Sequence, residues 1–398
     1  MDGEAWYIRK RLCKAWLQSI PFYLFRVFSI KPKKIVFTSI EGTTGYSCNP
    51  KYIAEELIKR NEGYELVWLV NDMNKKFPKE IKKVHNTLWN RAYHLTTAKF
   101  WIDNSRKQLE VRKRKGQIYI QTWHAKLGFK PTCLDRGASF SQIAYLVSKH
   151  DSDMIDYVLS NSDWYDKTLP TGMLYNGKVL RTGSPRCDIL VNGKEQARQK
   201  VRKSYNLSLD TKIIMYAPTF RGGSQGIKRT IEKGDHAPDF DVLLKALKKR
   251  FDGDWIVFLR LHPQLTARHI ASNKAGRFID VSKVDDMYEL LAGCDAFMTD
   301  YSSAAFDAAV MRIPIFLYAD DYEKYEMERG KLLWDLKKMP FLLATDYVEL
   351  ERMILSFDED KYIKSLEVLF LQTSMIENGQ AANNVCDEIR GLSNESKI

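Results

Sequence analysis

The stretch CDAFMTDYSSAAFDAAVMRIPIFLYA, residues 294–319, decides the fold class. It consists of a short apolar run, a segment of small residues with helical spacing, and a second apolar run that contains Pro314. Neither apolar run alternates with polar residues, which is typical of parallel strands covered by helices on both faces. The stretch therefore predicts a strand–helix–strand unit of a parallel α/β sheet.

The same alternation extends in both directions and falls into two blocks. The first block runs from KIVFTSI (34–40) to KVLRTGSP (178–185), and the second from KIIMYAPTF (212–220) to the opening stretch. A charged segment, NGKEQARQKVRKSYNLS (192–208), separates them. Two such blocks in 398 residues predict two doubly wound, Rossmann-like α/β domains. We predict domains at 34–188 and 189–375, preceded by a segment at 1–33 and followed by a C-terminal helix at 376–398.

The composition is that of a globular protein with an anionic partner. The hydrophobic share is 44% and the formal net charge is +12. The six cysteines contain no CxxC pair, so neither a zinc site nor a disulfide framework is indicated. Nucleic acid, anionic lipid and a phosphorylated substrate all remain compatible with this charge.

The N-terminus holds half of the net charge next to an aromatic segment. Residues 1–34 contain eight basic and two acidic side chains, and AWLQSIPFYLF (15–25) lies among them. This uncharged run is much shorter than the roughly 20 residues that span a bilayer. We predict a peripheral segment that lies in the membrane interface and contacts anionic lipids. A helix packed on the protein's own body is the alternative.

Polar and basic residues gather where the predicted strands end. Because ligands of open parallel sheets bind at the carboxyl ends of the strands, these residues are candidates for a site. Histidine suits proton transfer near neutral pH, arginine clamps phosphate, and a serine pair at a helix start can bind an anion. The candidates are Trp123, His124, Pro218, Thr219, Arg221, His262, Asp300, Ser302 and Ser303.

Other nucleotide-binding motifs are absent from the sequence. There is no GxxxxGK[ST] loop, and EGTTGYSCNP (41–50) lacks the glycine spacing of a dinucleotide fingerprint. Taken singly, a strand-end histidine could be a surface group, and the serine pair could be an ordinary helix cap.

Eight short motifs, in this order, resemble the CDP-glycerol glycerophosphotransferase family, which comprises teichoic acid primases and polymerases. The resemblance implies a GT-B fold, with two Rossmann-like domains facing a cleft, and it implies neither a cofactor nor a metal ion. The usual WHGTPLK and GYPRND motifs are here WHAKLGFK and GSPRCD, so the acceptor side departs most from the pattern. The matching pieces are NPKYI (49–53), QTWHAKLGFK (121–130), SNSDW (160–164), TGSPRCD (182–188), YAPTFR (216–221), RLHP (260–263), residues 280–318 and RG (329–330).

The resemblance also implies roles for individual residues. His124 and His262 would be catalytic, with His124 as the general base. The CDP-polyol would be held in the C-terminal domain, and the acceptor would be received by the N-terminal domain. The implied CDP-polyol ligands are Arg186, Pro218, Thr219, Arg221, Asp300, Ser302 and Ser303, and the implied acceptor-side residues are Asn49, Trp123 and Lys126.

The implied reaction moves glycerol phosphate from CDP-glycerol to a hydroxyl of a lipid-linked acceptor and releases CMP. The acceptor would be carried on polyprenyl diphosphate at the cytoplasmic face of the membrane, in teichoic acid or capsule synthesis. CDP-ribitol is an alternative donor, and a UDP-sugar glycosyltransferase of the GT-B class is a further alternative. A basic nucleic-acid-binding protein is the non-enzymatic alternative, but no nucleic-acid-binding module is recognisable, so no such partner is expected. Homo-oligomerisation is left open.

Overall fold

The computed structural model describes residues 3–219, 238–261 and 277–395, and its elements are numbered along these residues. The chain forms two compact units. The first comprises Met1–Lys126, Thr132–Asp188 and Ile376–Ile398, and the second comprises Leu127–Pro131 and Ile189–Met375. Each unit is built on one parallel sheet.

The sheet of the first unit has seven strands in the order β3-β2-β1-β4-β5-β6-β7, all parallel. The strand order reverses between β1 and β4, where Thr38 lies opposite Asp103 at the carboxyl ends. The strands are β1 (Lys31–Thr38), β2 (Glu65–Val70), β3 (Ile81–His85), β4 (Ala98–Asp103), β5 (Ile118–Gln121), β6 (Tyr157–Ser160) and β7 (Lys178–Arg181).

Apolar side chains cover both faces of this sheet. One cluster contains Trp101, Tyr119 and Val158, and the other contains Phe37, Trp68 and Leu159. Burial on both faces explains why these strands lack polar alternation. The α-helices before residue 188 are α1 (Gly3–Leu24), α2 (Cys48–Arg60), α3 (Leu88–Thr97), α4 (Gln142–Ser152) and α5 (Asp163–Gly172).

The sheet of the second unit has six parallel strands in the order β10-β9-β8-β11-β12-β13, and the order reverses between β8 and β11. The strands are β8 (Lys212–Tyr216), β9 (Trp255–Leu259), β10 (Phe278–Asp280), β11 (Ala296–Thr299), β12 (Ile315–Tyr318) and β13 (Leu342–Ala344). The helices from residue 188 onward are α6 (Asp188–Asn192), α7 (Lys194–Ser204), α8 (Phe240–Phe251), α9 (Met287–Leu291), α10 (Ala304–Ala309), α11 (Tyr322–Arg329), α12 (Tyr347–Leu355), α13 (Glu359–Thr373) and α14 (Ala381–Glu395).

Helix α14 packs within the first unit, although it lies at the far end of the chain. The Asp188 carboxylate accepts hydrogen bonds from the backbone N–H groups of Ala381 at 2.9 Å and Ala382 at 2.7 Å. Val385 and Ile389 join the same apolar cluster as Ile53. The first unit is therefore completed by the last described helix.

The prediction of two Rossmann-like α/β domains is confirmed, with local differences. Strands β3 and β13 are not predicted, and both lie at sheet edges. The helix after Ser303 ends at Ala309, because Arg312 adopts a left-handed backbone (φ 59°) shortly before Pro314. Ser47 occupies the N-cap position of α2. Within the described residues, no helix has both the length and the apolar character needed to cross a membrane.

Candidate active site

His124 follows β5 at the carboxyl edge of the first sheet and is half-buried. Its Nδ1 lies 2.6 Å from the backbone carbonyl oxygen of Asn104, a fully buried residue that follows β4. Because a carbonyl oxygen only accepts, Nδ1 carries the hydrogen, and Nε2 is the acceptor nitrogen of the neutral ring. The geometry therefore presents Nε2 as the nitrogen that could take a proton.

The loop that carries His124 is held by two side chains from other parts of the first unit. Asn49 Nδ2 donates to the carbonyl oxygens of Trp123 at 2.7 Å and Thr122 at 3.2 Å. Arg186 Nη1 donates to the His124 carbonyl oxygen at 2.7 Å, and its backbone N–H donates to Asn49 Oδ1 at 3.1 Å. Trp123 has a left-handed backbone (φ 48°), which is costly for a bulky residue, and these bonds offset that cost.

A buried chain of hydrogen bonds also supports the loop that carries His124. Gln121 Oε1 accepts from the Trp123 N–H at 3.0 Å, and Gln121 Nε2 donates to the Tyr119 hydroxyl oxygen at 2.8 Å. The Tyr119 hydroxyl donates to Asp151 Oδ1 at 3.1 Å. Burial raises the pKa of the Asp151 carboxyl to about 7, and the neighbouring Asp103 carboxylate acts in the same direction.

Lys126 is buried two residues beyond His124. Its Nζ donates to the Gly183 carbonyl oxygen at 2.9 Å and to Ser184 Oγ at 2.8 Å. The Ser184 N–H in turn donates to Glu377 Oε2 at 2.9 Å. This side chain thus fastens the His124 loop to the segment that follows β7.

Several residues of this edge are not predicted from the sequence. Ile40 (φ 44°) and Glu41 (φ 56°) adopt left-handed backbones, and their N–H groups donate to Asn104 Oδ1 at 2.7 Å and Ser105 Oγ at 2.9 Å. Arg106 lies over the Trp123 ring, with 4.7 Å from its guanidinium carbon to the ring centroid. The sequence feature that could have identified Asn104, Ser105 and Arg106 is the polar run DNSR (103–106), which directly follows the apolar part of β4.

The second unit places its predicted residues where its own strand order reverses. The Thr219 N–H, after β8, donates to both carboxylate oxygens of Asp300, after β11, at 2.9 Å each. The Tyr301 N–H donates to Asp300 Oδ1 at 2.5 Å. Pro218 and Thr219 are half-buried. Asp300 therefore joins the two strand ends that flank the switch point, where ligands of such sheets bind.

Ser302 and Ser303 precede α10 and are half-buried. Ser302 Oγ accepts from the Ala304 N–H at 3.3 Å, whereas the Ser303 side chain makes no capping hydrogen bond to the helix. Since α10 has only six residues, its dipole adds little, so the serine hydroxyls and the neighbouring N–H groups are the polar groups that this turn offers. The Tyr301 hydroxyl donates to Asp321 Oδ1 at 2.8 Å and steadies this turn.

Arg221 and His262 lie outside the described residues. The strands that lead to them, β8 and β9, end at the same edge as β11 because the sheet is parallel. Leu261 is buried, and its N–H donates to Ser282 Oγ at 2.9 Å. Across residues 3–219, 238–261 and 277–395, no group of three or more His, Cys, Asp or Glu side chains is arranged to hold a metal ion.

The fold and these strand ends define a two-domain α/β protein with a histidine at the carboxyl edge of one sheet and a serine pair at the carboxyl edge of the other. The chain belongs to the CDP-glycerol:poly(glycerophosphate) glycerophosphotransferase family, whose model matches residues 20–391. The predicted family resemblance is thereby confirmed.

Individual relatives agree with this assignment. The chain is 29% identical to a teichoic acid glycerol-phosphate transferase of Staphylococcus aureus, over 96% of this chain and 99% of the relative. It is 28% identical to a teichoic acid poly(glycerol phosphate) polymerase of Staphylococcus epidermidis, over 91% of this chain, and spans 51% of the length of that relative. A solved structure of the wall teichoic acid polymerase TagF, a histidine-to-asparagine variant with CDPG, superposes with a TM-score of 0.80 at 26% identity, covering 99% of this chain and 98% of that chain.

Proposed function

We propose that the protein transfers glycerol phosphate from CDP-glycerol to a hydroxyl of a lipid-linked glycan or polyol-phosphate acceptor, in teichoic acid or capsule synthesis, and releases CMP. One observation carries the proposal: in a chain of the glycerophosphotransferase family, the Nδ1 hydrogen bond of His124 leaves Nε2 as the proton acceptor. Glycerophosphotransfer needs a base for the acceptor hydroxyl and fixed groups for the phosphates.

In the proposed reaction, the acceptor oxygen attacks the β-phosphorus of CDP-glycerol. The new bond joins this oxygen to phosphorus, and the bond between phosphorus and the bridging oxygen breaks, so that CMP leaves with the electron pair. The hydroxyl proton passes to His124 Nε2. His262 and Arg221 would offset the charge on the diphosphate and on the leaving CMP.

We assign donor binding to the second domain, 189–375, and acceptor binding to the first, 34–188. Pro218, Thr219, Asp300, Ser302 and Ser303 would surround the donor phosphates, together with Arg221. The bond that ties Thr219 to Asp300 supports this placement.

On the acceptor side, Trp123, Lys126 and Asn49 would shape the environment of His124. Asn49 donates to the Trp123 carbonyl oxygen, and Lys126 donates to the Gly183 carbonyl oxygen after β7; both bonds support a positioning role. We propose that Arg186, which donates to the His124 carbonyl oxygen, also reaches the donor phosphates.

CMP release from CDP-glycerol, with membrane lipids as the acceptor source, tests the proposed function. His124→Asn should lower the rate at least a hundredfold with little change in CDP-glycerol affinity, since general bases contribute about 10²–10⁴ in rate. His85→Asn, on the exposed edge strand β3, is the matched control. An unchanged rate in His124→Asn would refute the assignment of the base. Release of CMP from CDP-ribitol but not from CDP-glycerol would show that CDP-ribitol is the donor. Release of CMP from neither compound would refute the proposed function.

We further propose that α1 binds the anionic cytoplasmic surface of the membrane. Ile8, Ala15 and Phe22 on one side of α1 are buried, and α1 packs on α3. A second stripe, spaced by three, four or seven residues, is exposed and consists of Trp6, Cys13, Leu17, Ile20 and Leu24. Exposed basic side chains flank it, namely Arg9, Lys10 and Lys14. An aromatic, apolar stripe beside basic groups suits a lipid headgroup interface.

Vesicle sedimentation tests the membrane proposal. The pair Leu17→Ser and Ile20→Ser should lower binding to phosphatidylglycerol vesicles at least tenfold, because each buried side chain of this kind contributes about 1.5–3 kcal/mol. Leu371→Ser, at a still more exposed position of α13 (81%), is the control. Equal binding by both variants, or equal binding of the unaltered protein to neutral phosphatidylcholine vesicles, would contradict the proposal.

A further inference from the structure

The Arg106 guanidinium lies at the carboxyl edge of the first sheet, beside the histidine. Arg106 follows β4, and its guanidinium carbon lies 4.7 Å from the centroid of the Trp123 ring, a distance typical of a cation–π contact. The His124 ring packs against the same indole, with 4.6 Å between the two ring centroids. One indole ring thus contacts both the cation and the imidazole, and all three residues belong to the first compact unit.

Arg106 has no acidic partner among the residues that the structure describes. Its one side-chain hydrogen bond to them runs from Nη2 to Cys133 Sγ, at 3.1 Å. A thiol sulfur is a weak acceptor, whereas a guanidinium carries five N–H donors. Arg106 is half-buried, and burying a charge is costly unless it is paired. The remaining donors therefore suit an anion that a ligand supplies.

Two neighbouring cations of this edge already have acidic partners. Lys107 is buried and forms an ion pair with Asp103. Arg181, the last residue of β7, donates from Nε to Asp166 Oδ2 at 2.7 Å. Arg106 differs from both because no carboxylate in the described part of the chain compensates its charge.

The backbone on both sides of Arg106 is held in place. The Ser105 N–H donates to Asp103 Oδ1 at 2.9 Å, and the Lys107 N–H donates to Asp151 Oδ1 at 2.8 Å. Both carboxylates are buried. A cation on a backbone fixed in this way loses less conformational entropy when it binds an anion, so more of the interaction energy remains as affinity.

We propose that Arg106 binds the phosphodiester next to the attacking hydroxyl of a polyol-phosphate acceptor, and that it favours this acceptor end over an uncharged glycan end. The inference rests on the proposed function and names the substrate class of the same site. In a glycerol phosphate chain, a single glycerol unit separates the last phosphodiester from the terminal hydroxyl. Since Arg106 and His124 contact one indole ring, the guanidinium can hold the phosphodiester while the hydroxyl reaches Nε2. The planar fork of arginine suits a phosphate because it can donate two hydrogen bonds to it.

Calorimetric titration with glycerophosphoglycerol, a soluble phosphodiester with free glycerol hydroxyls, tests the site without turnover. The unaltered protein should bind this probe at millimolar concentration, and Arg106→Gln should bind it at least tenfold more weakly, because charge-assisted hydrogen bonds are lost. Arg181→Gln is the matched control, since it removes a cation of the same edge that already pairs with Asp166. Its affinity for the probe should equal that of the unaltered protein.

The same titration with CDP-glycerol separates the acceptor phosphate from the donor phosphates. The dissociation constant of CDP-glycerol should stay within twofold in both variants. A tenfold weaker affinity of Arg106→Gln for CDP-glycerol would assign Arg106 to the donor and overturn the proposal. Equal affinity of Arg106→Gln and the unaltered protein for glycerophosphoglycerol, or no binding of this probe by the unaltered protein, would also overturn it.

Turnover distinguishes acceptor binding from mere support of the Trp123 ring. With an acceptor that ends in glycerol phosphate, Arg106→Gln should raise the acceptor KM at least tenfold and change kcat much less. With an acceptor that ends in a glycan, the KM of the variant and of the unaltered protein should agree. A fall in kcat at an unchanged KM would reduce Arg106 to a packing role and overturn the proposal.

Arg106→Lys decides the question if Arg106→Gln does not fold. This variant keeps the charge but loses the planar fork, so its acceptor KM should rise severalfold at an unchanged CDP-glycerol affinity. An unchanged KM in Arg106→Lys would then overturn the proposal. If the unaltered protein releases no CMP but binds glycerophosphoglycerol through Arg106, the proposed function is refuted and the phosphodiester site stands.

Discussion

At the scale of the residue, the loop that carries His124 depends on buried polar side chains beneath it. The Gln121, Tyr119 and Asp151 side chains are all buried and form one continuous chain below Trp123. Buried polar chains of this kind stabilise a structure only while every member is paired. The orientation of His124 thus rests on side chains up to three hydrogen bonds away.

Asp151 should make the stability of the protein depend on pH. Its pKa rises from 3.8 to about 7 on folding, mainly through burial, so the folded state binds more protons than the unfolded chain between about pH 4 and 7. Stability must then fall as pH rises through this window. Asp151→Asn, which cannot ionise, should flatten this part of the profile in urea unfolding at pH 4 to 8.

The control for this comparison is Asp153→Asn, which alters an exposed carboxylate at the end of the same helix. Its profile should follow that of the unaltered protein. If Asp151→Asn and the unaltered protein lose stability in parallel from pH 4 to 7, the buried carboxyl is not the group responsible.

At the scale of the element, the two strands that the sequence did not predict share a cause. Strand β3 reads IKKVH and β13 reads LLA, and each pairs with a neighbour on one side only. An edge strand needs less apolar surface than a central one, so its sequence carries a weak signal. The central strands, buried on both faces, were all found in the sequence.

Helix α14 should depend on Asp188 for its attachment to the first unit. Asp188→Ala removes the acceptor of two backbone N–H groups and should cost about 1–2 kcal/mol in unfolding free energy. Asp188→Asn should lose much less at neutral pH, because an amide oxygen still accepts and burial already raises the pKa of this carboxyl to about 6. If urea unfolding gives equal losses of unfolding free energy in the two variants, the hydrogen bonds that Asp188 accepts from α14 do not contribute to stability.

At the scale of the whole molecule, each sheet reverses its strand order once, and the candidate residues lie at or next to those two points. The first unit is closed by a helix from the end of the chain, and the second receives Leu127–Pro131 from the middle of the first block. The chain therefore crosses between the units several times.

Ile389→Ala should loosen one unit and leave the other intact. The fully buried Ile389 of α14 packs with Ile53 and Leu57 of α2, and its truncation should cost about 2–5 kcal/mol. Hydrogen exchange should accelerate in β1, β2 and α2 but not in β8, β11 and β12. Equal acceleration in both units would mean that they unfold together.

Most of the fold, and about half of the residues that make up the candidate site, could be predicted from local sequence. Apolar runs without polar alternation identified the central strands, and the residues that follow them included His124, Thr219 and Ser302. Asn104 and the left-handed Ile40 could not be singled out, because their importance comes from hydrogen bonds between segments 20 and 64 residues apart.

By itself, the sequence determined the class of the protein: two parallel α/β domains, a strand-end histidine, a serine pair after a buried strand, and a family membership carried by short motifs. These features depend on hydrophobic periodicity and on residues adjacent in the chain. Only the tertiary structure decided which strands flank each reversal of order, which nitrogen of His124 is the acceptor, and where residues 127–131 and 376–395 pack. Those outcomes depend on contacts between distant segments, and local sequence does not encode which distant partner a segment will meet.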